Sequence, residues 1–245
     1  MKYTELMKFI TAAKTAINEA YTEIETALTK ETEKKEQLKQ MFDADAKNIL
    51  PKYSREYVRQ AYADVFQAYE EETAAAVNAC QAKIKEQKAA FMDVVNTYYR
   101  PDGKQIDSDC VALLNSGIKL SNTEIFDMVM KYSDNMTMLR IIEKYVEDTK
   151  INIPQEMRNI FWRVSCNGSM EEKAFDRFVN LAGAGLSHPD RYFYLYQARL
   201  DTYEDNARLE LMKSTVVRNE ELLTEIKKTE MELIHLNIAT LRVEQ

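Results

Sequence analysis

Hydrophobic residues recur every seven positions from Tyr3 to Met41, with Glu31 and Lys34 as the polar exceptions. They form two series of core positions: Tyr3, Ile10, Ile17, Ile24 and Leu38, and Leu6, Ala13, Ala20, Ala27 and Met41. This spacing predicts a long helix with coiled-coil packing. Five further residues widen the apolar stripe: Met7, Tyr21, Leu28, Phe42 and Ile49. A stripe of that width is expected to meet more than one neighbouring helix.

The first helix is predicted to pair with a second one. Pro51 is expected to end the first helix, because proline lacks the backbone N–H and disfavours helix at the residue before it. Ser54 is a suitable N-cap for a second helix, which runs to about Tyr99 before the strong stop at Pro101. Residues 1–100 thus predict an antiparallel hairpin that folds back at residues 50–52. The charged run at residues 30–39, which includes Glu31 and Lys34, is expected to be solvated, with a partner surface as the alternative.

Composition changes after residue 100. All five glycines and the one tryptophan lie between residues 101 and 185. Ser121 with Glu124, and Ser169 with Glu172, match the capping box that opens a helix. The methionines at positions 128, 130, 136 and 138 are expected to fill a core. Residues 101–188 therefore predict a small domain of short helices.

Residues 189–245 contain no glycine and continue the heptad spacing. The residues at that spacing are Leu209, Met212, Val216, Leu223, Ile226 and Leu233. This region predicts a long C-terminal helix that packs back on the hairpin. The predicted fold is all-α, with an elongated antiparallel three-helix, coiled-coil-like stalk and a small helical head domain inserted at one end. The charged end of the stalk near Pro51 is the exposed tip, where a contact is expected.

The charge of the chain bears on its partners. The net charge is −7 at pH 7, with 40 acidic and 33 basic side chains. Nucleic acids and anionic membranes bind clustered Lys and Arg, so both are disfavoured as partners. The first residues lack the apolar core of a secretion signal, and no apolar run reaches membrane-spanning length. A cytoplasmic location is therefore predicted.

No catalytic, cofactor or metal motif stands out. His188 and His235 are the only histidines, and neither has Cys or His at ligand spacing. The three cysteines are far apart and are expected to be buried thiols. The chain is therefore predicted to be no enzyme, with no cofactor, no metal and no small-molecule substrate. An active site assembled in space from distant residues is the alternative.

His188-Pro189-Asp190 resembles the tripeptide with which J-domain co-chaperones engage their Hsp70 partner. In that family a basic amphipathic helix precedes the tripeptide, whereas residues 178–186 here contain no Lys or Arg. The favoured interpretation is a helix start, with Ser187 as N-cap and Pro189 in the first turn. A chaperone or adaptor that uses this turn is the alternative function.

Aromatic residues cluster at the start of the C-terminal region. They are Tyr192, Phe193, Tyr194, Tyr196 and Tyr203. The first four point in several directions around a helix, which is more than one core face requires. They are the candidate interaction surface. Burial between the head and the stalk is the favoured alternative.

Residues 111–118 (VALLNSGI) and 131–140 (KYSDNMTMLR) carry one further resemblance. The stretch that they bound is similar to a segment of uncharacterised helical proteins encoded by phages and prophages of Gram-positive bacteria. The resemblance implies a virion-structural or assembly role, such as a scaffold-like or capsid-associated component. It also implies the host cytoplasm or the virion as the location.

The function predicted from these patterns is a non-enzymatic helical structural or assembly protein. It is expected to act through protein–protein contacts, by self-association along the stalk or by binding a partner at the head. A membrane-remodelling helical bundle is a third hypothesis, which the acidic charge disfavours.

Overall fold

The computed structural model describes residues 3–187 and 193–214, and these residues form helices and no strand. The helices are α1 (Tyr3–Ala46), α2 (Arg55–Tyr99), α3 (Ser108–Asn115), α4 (Asn122–Lys131), α5 (Met136–Thr149), α6 (Gln155–Cys166), α7 (Ser169–Gly183), α8 (Phe193–Ala198) and α9 (Leu200–Ser214). Gly103–Gln105 and Ala184–Ser187 are short 3-10 helical turns. The all-α prediction is confirmed.

The described residues fall into two compact units. One comprises residues 3–11, 87–180 and 201–214, and the other comprises residues 12–86 and 181–200. Both long helices contribute to each unit. The predicted domains, residues 1–100, 101–188 and 189–245, stay a prediction.

Within the unit of residues 12–86, α1 and α2 are antiparallel, as the sequence predicts. Glu19 pairs with Lys83 at 2.6 Å, and Lys30 pairs with Glu72 at 3.1 Å. Residues later in α1 therefore pair with residues earlier in α2, as in an antiparallel pair. The buried heptad residues of α1 in this unit are Ala13, Ile17, Ala20, Ile24 and Ala27.

The heptad series is not buried at its end, and the charged run before it is not wholly solvated. Leu38 is only half-buried, and 39% of Met41 is exposed. Glu31 was expected to be solvated but is only 7% exposed, with its carboxylate 2.5 Å from Lys35 Nζ. The Lys35 ammonium also lies 5.8 Å from the centre of the Phe66 ring. Long basic side chains cover apolar surface with their stems. The Lys35 side chain therefore explains why Glu31 is buried rather than solvated.

The turn between the long helices differs from the prediction in its bounds. The first helix ends at Ala46, before Pro51, and residues 47–54 form the connection. The second helix begins as predicted, because Ser54 Oγ accepts a hydrogen bond from the Tyr57 N–H at 3.1 Å. It also ends at Tyr99 as predicted.

The core of the other unit is built on phenylalanines. The Phe91 ring lies 6.1 Å from that of Phe9 and 5.0 Å from that of Phe175. Met136 and Met138 are buried here as predicted, but Met128 is half-buried and 43% of Met130 is exposed. Of the four methionines, only the two on α5 therefore fill the core.

The two predicted capping boxes have different outcomes. The Ser121–Glu124 box is present at the start of α4. Ser169 is not a cap but the first residue of α7. Glu172 turns outward instead, with its carboxylate 3.2 Å from Lys88 Nζ.

The C-terminal region was expected to be one uninterrupted helix, but the described part of it is broken in two. α8 ends at Ala198 and α9 begins at Leu200, and the Arg199 N–H bonds to the Tyr196 carbonyl at 3.1 Å. An i to i+3 bond of this kind is a turn rather than a continued α-helix. No Gly or Pro marks the break in the sequence. The predicted course of residues 188–192 and 215–245 lies outside the described residues.

Gly168 should tolerate substitution less well than Gly117. Both have a positive φ, +85° and +78°, but a Cβ at residue 168 would overlap the Val95 side chain, whereas residue 117 faces open space. Gly117→Ala is expected to lower the free energy of unfolding by roughly 1–2 kcal/mol through its backbone conformation alone. Gly168→Ala adds steric overlap in a packed core, which costs about 1–3 kcal/mol more. Denaturant unfolding of the two variants measures the difference, and equal losses would contradict the overlap.

Candidate interaction surfaces

The aromatic residues predicted as an interaction surface have different environments. Phe193 is 2% exposed, and its ring lies 5.0 Å from that of Tyr21. Tyr194 is 60% exposed, whereas Tyr196 and Tyr203 are half-buried. Tyr192 lies outside the described residues. The described part of this segment thus offers one well-exposed ring, and its role in binding stays a prediction.

A close backbone approach explains why Phe193 is buried. The Tyr21 hydroxyl donates a hydrogen bond to the Ala182 carbonyl at 2.9 Å. A Cβ at Gly185 would lie 2.5 Å from the Tyr21 oxygen and 2.9 Å from the Tyr196 Cβ. Only glycine allows the chain to pass here, because any side chain would displace these neighbours. This part of the segment therefore belongs to the core of its unit.

The hairpin turn exposes two large aliphatic side chains. Ile49 is fully exposed, at 100%, and Leu50 is 85% exposed. The sequence stripe had placed Ile49 in the core, and this expectation is wrong because α1 ends three residues earlier, at Ala46. Once the helix ends, the heptad spacing no longer decides which way a side chain faces. We call residues 47–55 the apex.

The apex is held in one conformation by Asp45. Its Oδ1 accepts hydrogen bonds from Asn48 Nδ2 at 3.3 Å and the Lys52 N–H at 3.1 Å, and its Oδ2 accepts one from the Tyr53 N–H at 3.1 Å. Burial raises the pKa of Asp45, but the hydrogen bonds from Lys52 and Tyr53 outweigh it and hold the pKa below its ordinary value. The carboxylate therefore stays charged and keeps its three donors at neutral pH.

An aromatic cluster lies beside the apex. The Phe42 ring is 5.4 Å from Tyr53, 6.0 Å from Tyr62 and 6.4 Å from Tyr57, and the rings of Tyr53 and Tyr57 stack at 5.2 Å. Such ring pairs add stability beyond the burial of their area. The exposed Ile49 and Leu50 are thus presented on a fixed support.

The apex is basic although the chain is acidic. Residues 47–55 contain Lys47, Lys52 and Arg55 and no acidic residue. All three basic side chains are exposed. The apex therefore combines an aliphatic pair with three exposed basic side chains, while the acidic Asp43, Asp45 and Glu56 adjoin it in the chain.

A groove of about 590 Å³ lies beside α5 and α6. The only tryptophan, Trp162, lines it and is 57% exposed. Burial raises the pKa of Glu143 at its edge, against the hydrogen bond of 3.0 Å that Ser165 Oγ donates to this carboxylate. Lys150 and Arg158 line the groove as well. Its rim thus carries charges of both signs.

A second groove, of about 480 Å³, lies beside α3 and α4. Its apolar lining consists of Cys110, Leu113, Met128 and Tyr132, and its charged lining consists of Asp107, Asp109, Glu124, Asp127 and Lys131. We call it the acidic groove. Four carboxylates against one ammonium give its lining a net charge of −3.

Two of these carboxylates are fixed by helix capping. Asp107 Oδ1 accepts the N–H groups of Asp109 and Cys110, while its Oδ2 is 3.2 Å from Lys131 Nζ and accepts the Tyr132 hydroxyl. Hydrogen bonds from Tyr132 and from the backbone hold the pKa of Asp107 below its ordinary range. Glu124 accepts from Ser121 in the capping box. Asp109 and Asp127 are exposed at the groove.

Among the described residues three carboxylates are buried, those of Glu31, Asp45 and Glu171, and Glu171 is the most deeply buried. Glu171 is 1% exposed, and its Oε1 accepts the Tyr99 hydroxyl at 2.9 Å. The nearby Ser214 hydroxyl donates to the Leu211 carbonyl, and Glu171 Oε2 has no hydrogen-bond partner among the residues that the structure describes. Burial raises the pKa of Glu171, although the Tyr99 hydroxyl lowers it.

Cys80 and Cys110 are buried as expected, whereas Cys166 is half-buried, and the two buried thiols are not suited to nucleophilic chemistry. Burial raises the pKa of Cys80 to about 11, and it also raises the pKa of Cys110. A thiol reacts as the thiolate, so these two cysteines are protonated and inert at neutral pH. Within residues 3–187 and 193–214, no cluster of His, Cys, Asp and Glu side chains could hold a metal ion.

Two further predictions concern the His188-Pro189-Asp190 tripeptide and the membrane. His188-Pro189-Asp190 lies in a stretch that the structure does not describe. As for a membrane, none of the described helices combines the length and apolarity that crossing one requires.

No family model, no curated protein and no solved structure matches the chain. Its function must therefore be inferred from its own surfaces, of which the apex has the largest fraction of exposed aliphatic side chain.

Glu171 is expected to make stability depend on pH. Because its pKa is raised on folding, the unfolded chain releases this proton at a lower pH than the folded chain does. Stability should therefore fall as pH rises from the ordinary range of glutamate through the raised pKa. Glu171→Gln, which keeps the acceptor for Tyr99, should remove this fall. Urea unfolding from acid to neutral pH tests it, with exposed Asp148→Asn as the control; parallel wild-type and Glu171→Gln profiles would contradict it.

Proposed function

We propose that this chain is a non-enzymatic helical protein that acts through protein–protein contacts, with the apex as its principal contact surface. The observation that carries the proposal is the fixed exposure of Ile49 and Leu50. Both side chains are presented on a turn that Asp45 and its three donors hold in place.

The energetics favour binding at this place. Fully burying one Ile or Leu side chain contributes roughly 1.5–3 kcal/mol. A binding surface that is already ordered avoids much of the entropy loss that loops suffer on association. The exposed Tyr57 and Arg55 flank the aliphatic pair, and Tyr and Arg are among the residues that dominate binding energy at interfaces.

A protein partner fits the apex better than a membrane does. Two aliphatic side chains and three basic residues form a small anchor, and single weak anchors give only marginal membrane affinity. An anionic bilayer would also repel the rest of a chain whose net charge is −7. A protein pocket can enclose both side chains completely.

The finer proposal is a structural or assembly role, as in a phage virion or its scaffold. Its support is the resemblance of the segment bounded by residues 111–140, which implies such a role. The chaperone or adaptor alternative depends on His188-Pro189-Asp190, and no described contact favours it.

Photo-crosslinking from the apex tests the proposal. Replacement of Leu50 by benzoylphenylalanine in the full chain should give adducts of defined mass with a protein, identified by mass spectrometry. The same amino acid in place of Lys85, an exposed residue on α2, is the control and should give none. A third variant carries it in place of Tyr194, on the predicted aromatic surface.

Two outcomes would count against the apex. Adducts from position 194 but not from position 50 would move the contact to the aromatic segment. A chain that gives no adduct from either position, and that light scattering shows to be strictly monomeric at micromolar concentration, would contradict the proposal as a whole.

We further propose that the C-terminal region supplies the third helix of a stalk. The support is an incompletely covered stripe on α2: Val58, Tyr62 and Val65 are half-buried, and Phe66 is 47% exposed. A groove of about 490 Å³ follows this stripe, and Ala74 and Val77 line it. An amphipathic helix with the heptad spacing of residues 209–233 has the apolar face that such a groove accepts.

Thiol labelling tests this packing. Ala74→Cys lies in the groove, whereas Ala82→Cys is exposed on the same helix and outside its lining. Removal of residues 215–245 should speed alkylation at position 74, because a covering helix is lost, and leave position 82 unchanged. Equal rates at position 74 in the full and the shortened chain would contradict the third helix.

A further inference from the structure

We infer that the apex of one copy docks in the acidic groove of a second copy. This inference rests on the proposed interaction function and names its partner. It joins the two surfaces of the described chain that are most nearly complementary in both apolarity and charge.

The side chains of the apex determine which kind of surface can bind it. Ile49 and Leu50 are neighbours in the chain and are almost wholly exposed, so their burial needs an apolar depression. The exposed Lys47, Lys52 and Arg55 lie close to them in the chain, so acidic residues at the rim of the depression favour the contact. Complementary charge around an apolar contact fixes its orientation and speeds encounter.

The acidic groove meets both conditions. Leu113 and Met128 belong to its apolar lining, and 37% of the Leu113 side chain is exposed. The flexible thioether of methionine adapts to the shape of an incoming side chain. The volume of about 480 Å³ lies within the range of roughly 300–1,000 Å³ that is usual for binding pockets. The exposed Asp109 and Asp127 in its lining are opposite in sign to the exposed basic side chains of the apex.

Two carboxylates of the rim are exposed to an incoming cation. Asp107 and Glu124 are already engaged, because they cap α3 and α4 and Asp107 also pairs with Lys131. Asp109 and Asp127 are exposed and can pair with incoming Lys or Arg. The tryptophan groove is a poorer match, because Lys150 and Arg158 on its lining would repel the basic apex.

The contact joins two different surfaces and is therefore heterologous. Each copy that is bound through its apex keeps its own acidic groove for another copy. Such contacts generate rings or open chains rather than closed two-fold dimers. Association should consequently grow with concentration and weaken with salt, since its charged part is exposed at the rim.

Paired charge reversal tests the inference. Lys52→Glu/Arg55→Glu makes the apex acidic, and Asp109→Lys/Asp127→Lys makes the groove basic. Each variant alone then opposes like charges, and self-association measured by sedimentation equilibrium should weaken at least about tenfold. An equimolar mixture should associate again, because the acidic apex of one variant meets the basic groove of the other, and the unaltered apex meets the unaltered groove.

Controls separate this effect from unfolding and from net charge. Lys144→Glu/Lys173→Glu makes the same change in charge at exposed residues outside both surfaces and should leave association unchanged. Ile49→Ser/Leu50→Ser should abolish association without altering any charge. Circular dichroism melting of each variant checks that it is folded.

Several results would overturn the inference. The first is that the wild-type chain stays monomeric up to high micromolar concentration. The second is that the mixture of the two variants does not recover association. The third is that the apex binds phosphatidylserine vesicles and no self-association is observed. Adducts from position 50 with a different protein, alongside a monomeric wild-type chain, would overturn the second copy as partner and leave the proposed interaction function standing.

Discussion

Two long helices joined through residues 47–54 can reverse direction only if the peptide groups at the bend find hydrogen-bond partners. The end of a helix leaves carbonyls without partners, and the turn that follows has donors that no helix can satisfy. Asp45 satisfies two of these donors, because it lies in the last turn of α1 and its carboxylate accepts from the Lys52 and Tyr53 N–H groups beyond the bend. Its own carbonyl accepts the Asn48 N–H at 3.0 Å. One buried carboxylate thus sets where the hairpin turns.

That constraint also decides what the turn presents. The chain between Asn48 and Lys52 is bound at both ends to the same carboxylate, so Ile49 and Leu50 have no room to fold back into the core. Phe42 and its tyrosine neighbours already fill the space below. The exposure of the aliphatic pair is therefore a consequence of the turn rather than of a poorly packed helix end.

The sequence predicted the parts of the fold that follow local rules. The all-α class, the caps at Ser54 and Ser121 and the stop after Tyr99 each depend on residues close together in the chain. The antiparallel pairing follows from the short connection between the two long helices. The heptad pattern was reliable up to Ala27, where the repeated layers are small or branched apolar residues. Position 31 of the series is also buried, and what failed there is the expectation that Glu31 is solvated. Lys35, one turn later in α1, pairs with Glu31 and lies over Phe66 of α2, which the sequence period does not show.

Other failures have the same origin in tertiary contacts. The break at Arg199 carries no Gly or Pro signal, and the exposure of Met128 and Met130 depends on which face of α4 its neighbours cover. For the candidate surfaces, the sequence indicated the charged end of the hairpin but assigned Ile49 to the core. It could not show the acidic groove, because Asp107, Asp109, Glu124 and Asp127 come from two helices that only the fold brings together.

A turn is a physically favourable place for a contact surface on a chain of this kind. On the long helices, an apolar residue at a heptad position is committed to the neighbouring helix, and a change there alters stability. At the apex, Ile49 and Leu50 make no such contribution, so their side chains are free to serve binding alone. The same separation holds for charge, since the chain as a whole is acidic whereas the apex gathers three basic side chains. Under the proposed function, contact is made at the apex and leaves the core that holds either helix unaltered.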